Sequence, residues 1–163
     1  MAVDFKSLFW PLSLNKIRRG KINNTFGMVR KTATGQMRPH QGWDFEARIG
    51  TPFFAIAAGK VEFVVQRGDY GLQLCHSFSY AGQTLYAFYA HLSQVYVKTG
   101  DVIASNQLLG VTGDTGNAKS QALQDQHLHF EIRETAHPRL GLQDRIDPIQ
   151  AFGFCPLNIG VAG

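Results

Sequence analysis

The sequence predicts an all-β fold, a compact antiparallel β-sheet core with short helices or loops at both termini. Three observations carry this. Helical periodicity is scarce, short runs alternate apolar and polar residues, and Gly, Asp and Thr break those runs at short intervals. In chain order, 59–66 (GKVEFVVQ) reads as a strand and 67–71 (RGDYG) as its turn. Residues 72–78 form the next strand, 80–83 (YAGQ) a turn, and 84–91 a third strand. Turn signals at 98–101 (KTGD) and 113–116 (GDTG) flank a strand at 107–112, and 127–133 (HLHFEIR) completes the set. Segment 120–126 (SQALQDQ) is polar and suits a helical turn or a loop. Residues 1–22 and 134–163 read as peripheral segments around a core spanning 23–133. No repeat or low-complexity linker divides the chain, so 1–163 reads as one domain.

Composition narrows the class. With 163 residues, 44% apolar and 17% charged, the chain can bury a sizeable core and is not a disordered polymer. Two cysteines cannot build a disulfide framework or a four-cysteine zinc site; Cys75 and Cys155 are either buried thiols or a single pair. No apolar run approaches the roughly 20 residues of a membrane span. Lys and Arg number 16 against 12 acids, a net charge of +4, and the excess is local. Between Phe5 and Trp43 there is no acid, while Lys6, Lys16, Arg18, Arg19, Lys21, Arg30, Lys31 and Arg38 all fall there. Such an arm either holds an anionic partner or is a solvated face. Residues 1–15 lack the continuous apolar stretch and cleavage site of a secretory signal, which suggests a cytoplasmic protein, export without a standard signal, or a trimmed leader.

Four of the six histidines stand in suggestive settings. His40-Gln41-Gly42-Trp43-Asp44 places an imidazole and a carboxylate four residues apart. On a straight strand they would lie about 13 Å apart, too far to share an ion; a bend is required, and Gly42 permits the backbone angles for one. His127-Leu128-His129-Phe130-Glu131-Ile132-Arg133 alternates strictly. Its histidines face one side, about 6.8 Å apart, and Leu128, Phe130 and Ile132 face the core. His91 ends the run Leu85, Ala87, Tyr89, His91 on one face of its strand. Zinc catalysis calls for this inventory: three protein ligands and one open position for water, whose pKa falls to about 7 when the ligands leave the ion cationic. Histidines that do not ligate can move protons beside it. Each spacing alone also has a plainer account, a chance or surface pair for His-x-x-x-Asp and a common pattern for His-x-His.

The surrounding residues form an ordered series. Thr25-Phe26-Gly27 precedes His40-x-Gly42-x-Asp44-Phe45, then Gly50-Thr51-Pro52 and Ala55-x-Ala57-x-Gly59-x-Val61. Tyr89-Ala90-His91-Leu92-Ser93, Val97-x-x-Gly100-Asp101-x-Ile103, Gly110-x-x-Gly113-x-Thr115-Gly116 and His127-Leu128-His129-Phe130-Glu131-Ile132-Arg133 follow. This series resembles the lysostaphin/LytM-type peptidoglycan metalloendopeptidases from Asn23 to Arg133, about two thirds of the chain. The resemblance implies a Zn2+ cofactor held by His40, Asp44 and His129 in an open groove of the β core. His91 and His127 match the two catalytic histidines that do not ligate. In such enzymes they orient and deprotonate water, stabilise the tetrahedral oxyanion and protonate the leaving amine. There are two departures. Asn117 to Gln126 lengthens the approach to the final motif, with Gln126 where a Pro is common. No Tyr stands at 31–39 to assist the oxyanion; Arg38 is either its substitute or a surface arginine.

Other features have local readings. Asp114-Thr115-Gly116 spells an aspartic-protease signature, but such proteases need two carboxylates, and here it reads as a turn. Asn117 reads as a turn residue rather than a groove lining, His76 as a strand residue, His137 as a loop residue, and Trp43 and Phe45 as core. The expected function is a zinc endopeptidase cutting peptide cross-links or stems of bacterial peptidoglycan. The alternative is a non-enzymatic wall-binding or hydrolase-activating module of the same fold, which would lack metal ligands. A nucleic-acid partner would leave the histidines unexplained. With no wall-binding domain or signal in the sequence, the expected setting is the periplasm or cell wall after delivery by a secretion system, as an antibacterial toxin, or phage lysis. A delivered toxin implies an immunity protein that blocks the groove.

Overall fold

The computed structural model describes residues 8–163; Lys6 of the basic arm and the start of the stretch scanned for a signal lie outside the described residues. The strands are β1 (Leu14–Asn15), β2 (Gly27–Lys31), β3 (Met37–His40), β4 (Trp43–Glu46), β5 (Pro52–Phe54), β6 (Gly59–Arg67) and β7 (Gly71–Tyr80). They continue as β8 (Gln83–Val95), β9 (Val102–Ile103), β10 (Leu108–Thr112), β11 (His127–Arg133), β12 (Arg145–Ile146) and β13 (Val161–Ala162). One short helix, α1 (Ile149–Phe152), and a few 3-10 turns connect the strands. The main sheet runs β12-β11-β8-β7-β6-β9, with β4 also on β11 and β10 bridging β8 to β5. The strand pairs are antiparallel, as the alternating runs predict.

The five predicted strands appear as β6, β7, β8, β10 and β11, with shifted ends. The turn between β7 and β8 is two residues, Ala81 (φ 50) and Gly82 (φ 78), both left-handed as a tight hairpin of this twist requires. One face of the sheet carries the core: Leu128, Phe130 and Ile132 of β11, Leu85, Ala87 and Tyr89 of β8, and Trp43 and Phe45 of β4. Both ends of the described residues close over it. β1 pairs with β13, and Trp10 stacks on Phe152 at 4.3 Å between ring centres. No described helix is long and apolar enough to cross a membrane.

Two expectations change here. The predicted third strand does not stop at His91; β8 continues to Val95 through a β-bulge. Tyr89 pairs with Leu74 and Leu92 with Leu72, so Ala90 and His91 stand opposite the single residue Gln73. The bulge places His91 in a left-handed conformation (φ 59), which breaks the alternation. His91 therefore leaves the Leu85, Ala87, Tyr89 face and joins the histidines on the opposite one. The two cysteines are free; burial pushes the Cys75 thiol up to about 12, leaving it protonated and unreactive at neutral pH.

Candidate metal centre

The pairing of β4 with β11 puts Asp44 directly opposite His129, and the end of β3 brings His40 to them. The chain does bend between His40 and Asp44, but the glycine serves a different purpose from the one expected. Gly42 is not left-handed; a Cβ there would lie 2.1 Å from the Phe130 carbonyl oxygen, so glycine is required by close approach. His40, Asp44, His91, His127 and His129 converge at 5% exposure or less. They line a cleft of about 220 Å³ with Arg18, Arg30, Gln41, Tyr70, Asn117 and Gln121. Asn117, for which the sequence favours a turn over a groove lining, borders the cleft. Trp43 stays in the core.

His40, Asp44 and His129 offer ligand atoms within 4.8 Å of one another. Asp44 Oδ1 lies 3.2 Å from His40 Nε2 and 2.9 Å from His129 Nδ1. Bonds of roughly 2.0–2.1 Å in a tetrahedral zinc site put ligand atoms about 3.3 Å apart, so these separations suit one shared ion. The second nitrogen of each ring is committed elsewhere. His40 Nδ1 donates to the Thr25 carbonyl at 2.8 Å, and His129 Nε2 donates to Glu131 Oε2 at 2.8 Å. Carbonyl and carboxylate oxygens only accept, so these nitrogens keep their protons and a bound metal would take the lone pairs of His40 Nε2 and His129 Nδ1, the atoms that converge on Asp44. The donor set fits a metal.

His91 and His127 stand beside this triad with rings 5.0 Å apart. His91 Nδ1 donates to the Thr115 carbonyl at 2.8 Å, so the turn of the Asp-Thr-Gly sequence orients this histidine. His127 Nδ1 donates to the Asp125 carbonyl at 2.9 Å, and its Nε2 lies 3.8 Å from Asp44 Oδ1. Both rings keep Nε2 as a lone pair. Burial, reinforced by the neighbouring His129 and His127, brings His91 down to about 4. Burial also lowers His127. Both are neutral near pH 7 and able to accept a proton. Burial would raise the Asp44 carboxyl, yet the facing imidazoles of His127, His40 and His129 hold it well below the usual range.

An outer layer, missed by the sequence reading, fixes these groups. Arg18 and Arg30 donate to the other oxygen of Asp44 at 3.1 and 3.0 Å. They leave Oδ1 directed at the imidazoles. Two residues of the basic arm are therefore part of the site, neither a solvated face nor a contact to an outside partner. Glu131, fully buried, accepts from His129, Tyr70, Arg133 and Arg145. Its position two residues after His129 on one strand face was a signal in the sequence. Tyr70, in a turn, and Arg145, in a peripheral segment, gave none. Arg38 is exposed on β3 and does not line the cleft, the placement of a surface arginine. The longer 117–126 segment does form a wall, with Gln121 Oε1 3.1 Å from His127 Nδ1.

The chain is similar to known proteins along most of its length. The sequence profile described as peptidase family M23 matches residues 38–141. The chain is 34% identical over 116 residues to the peptidoglycan DD-endopeptidase ShyB of Vibrio cholerae, covering 69% of this chain and 25% of that protein. Among solved structures, a zinc-containing peptidase from Vibrio cholerae superposes with a TM-score of 0.65 at 27% identity, over 88% of this chain and 38% of that one. The catalytic domain of lysostaphin from Staphylococcus simulans gives 0.63 at 28% identity, over 80% of this chain and 90% of that domain. The chain spans 23–29% of the length of the first curated relatives it matches.

Proposed function

The chain belongs to peptidase family M23, and on that premise we propose that it is a zinc-dependent endopeptidase of bacterial peptidoglycan, acting as one catalytic domain. The observation that carries the reading is the convergence of His40, Asp44 and His129 within 4.8 Å, with two more histidines beside them. His40 Nε2, Asp44 Oδ1 and His129 Nδ1 would hold the ion. Bound there, zinc supplies Lewis acidity to the scissile carbonyl and to water.

The chain's own residues do the rest. His91 and His127 present Nε2 lone pairs to the cleft, take the proton from the attacking water and return it to the leaving amine. Once protonated, the same rings donate to the developing oxyanion. The Thr115 and Asp125 carbonyls hold these rings in the tautomer that the proton transfer needs. Tyr70 packs over His129 at 5.2 Å between ring centres and bonds Glu131, so it fixes the ligand's orientation.

The DD-endopeptidase relative makes directly cross-linked stems, with D-alanyl–diaminopimelate bonds, the favoured substrate. The enzyme would act in the periplasm or cell wall. Roles as a delivered antibacterial toxin with a cleft-blocking immunity protein, or in phage lysis, extend the same reading. The test is metal content with digestion of purified sacculi. The protein should bind one zinc and convert cross-linked muropeptides to monomers. His129→Ala should lose the zinc and cut turnover by at least about 1000-fold. Full zinc and full lysis in that variant would refute the ligand assignment, and new glycine ends would refute the bond.

A further inference from the structure

A larger cavity, of about 870 Å³, lies on the other side of one wall of the metal cleft. Arg18, Arg19 and Asp125 build that wall. Arg18 Nη1 donates to the Asp125 carbonyl, while Arg19 grips the Asp125 carboxylate through Nε at 2.7 Å and Nη2 at 3.1 Å. Arg19 is left-handed (φ 56), and the two successive arginines part: Arg18 lines the metal cleft and Arg19 the larger cavity. The following strand does the same, with Gln126 in the larger cavity and His127 in the cleft.

The charge of the larger cavity is one-sided. Lys16, Arg19, Lys21 and Arg48 line it against a single acid, Glu46. Glu46 faces Lys16 at 4.0 Å and Asp125 neutralises Arg19. Lys21 and Arg48 make no ion pair among the described residues. This is where the rest of the described basic arm's first half goes, the part the metal centre does not use. The remaining lining mixes the carboxamide of Gln124 and the hydroxyls of Ser13 and Thr51 with the apolar Leu14 and Leu123, while the Gln126 carboxamide is taken up by the Ile49 amide and the Gln121 carbonyl.

We propose that this cavity is a second binding site, taking the free carboxylates of a wall peptide whose scissile bond lies in the neighbouring metal cleft. The proposal rests on the endopeptidase reading for the identity of the polymer. Two uncompensated cations suit carboxylates, and neighbouring residues (Arg18 and Arg19, Gln126 and His127) divide between the two cavities, which sets them side by side. The site would add affinity and choice of stem, without touching the reacting atoms.

The test uses the zinc-loaded full chain and labelled, uncross-linked stem peptides, which hold no scissile cross-link. One peptide carries free carboxylates and the other has them amidated. By fluorescence anisotropy the free-acid peptide should bind about ten-fold tighter, an advantage that shrinks with added salt. Lys21→Glu with Arg48→Glu should abolish that advantage, and the milder Lys21→Gln with Arg48→Gln should reduce it about three-fold. On an amidated cross-linked dimer, kcat should be unchanged in both variants. Equal binding of the two peptides by the unmodified protein, or a preference that survives both variants, overturns the proposal. So does a glycerol-phosphate oligomer that binds more tightly than the free-acid peptide and responds to the same variants. If the unmodified protein cleaves neither that dimer nor its free-acid counterpart, the endopeptidase reading fails, while the anisotropy result still decides the cavity.

Discussion

The two faces of β11 are almost equally buried and are held by different physics. Leu128, Phe130 and Ile132 on one side are fully buried, and so, within 5%, are His127, His129, Glu131 and Arg133 on the other. The apolar face is stabilised by removing area from water and by close packing. The polar face gains little from burial as such, because a charged group loses its hydration there. It survives because its partners are supplied: four donors to Glu131, two arginines on Asp44, and Arg133 capped by the Phe88 ring at 3.5 Å. The contrast teaches that burial alone does not identify a core. Loss of a contact should be felt as a void on one face and as an unpaired charge on the other.

Single substitutions on the two faces can break that comparison. Phe130→Ala should destabilise by about 3–5 kcal/mol through lost transfer energy and a cavity. Glu131→Gln keeps the volume but leaves Arg133 and Arg145 without their carboxylate, and should also cost about 3–5 kcal/mol. Urea unfolding at pH 7 measures both. A cost for Glu131→Gln under 1 kcal/mol would show that the polar face is less dependent on pairing than its geometry demands.

Acidity separates the faces further. Burial works against the charged form of His129, yet hydrogen bonds to Asp44 and Glu131 push it up to about 9 in the metal-free protein. A raised folded-state pKa contributes stability that is complete below the unfolded value of about 6.5 and is lost as pH rises through about 9. Metal-free protein should therefore lose stability between pH 6.5 and 9. Phe130→Ala should keep that slope and Glu131→Gln should flatten it. Metal loading should remove the window, since His129 Nδ1 then holds the ion rather than a proton. Identical slopes in all forms would contradict this account.

Smaller effects test the outer layer. Tyr70→Phe removes one of four donors to Glu131 and should weaken metal affinity about ten-fold while costing about 1–2 kcal/mol of stability. A chelator competition titration reads the first and urea unfolding the second. Arg38→Ala should leave turnover within about two-fold, because that side chain is exposed and outside the cleft. A large loss of kcat there would return Arg38 to the oxyanion.

Much of this is legible in the sequence alone. Alternation over 127–133 and the spaced turn residues gave the antiparallel class, since strand periodicity is a property of the backbone itself. The ordered motif series pointed to His40, Asp44, His91, His127 and His129, and all five meet in one cleft. Strands β2 to β5 leave little trace in the sequence, being short and poor in alternation. The face of His91 was read wrongly, because a bulge reverses parity and depends on how β7 lies against β8.

The sequence by itself determined the class of fold, the donor types and the order in which they occur along the chain. Those follow from side-chain chemistry and a period of two residues. Only the tertiary structure decided which nitrogen of each histidine is free, because that depends on carbonyls and carboxylates brought in by other strands. It also decided the fate of the basic arm. Arg18 and Arg30 became part of the metal centre, Arg19 and its neighbours the lining of a second cavity, and Arg38 a surface residue. Nothing local distinguishes these arginines; the acids that divide them, Asp44 and Asp125, arrive from distant parts of the chain.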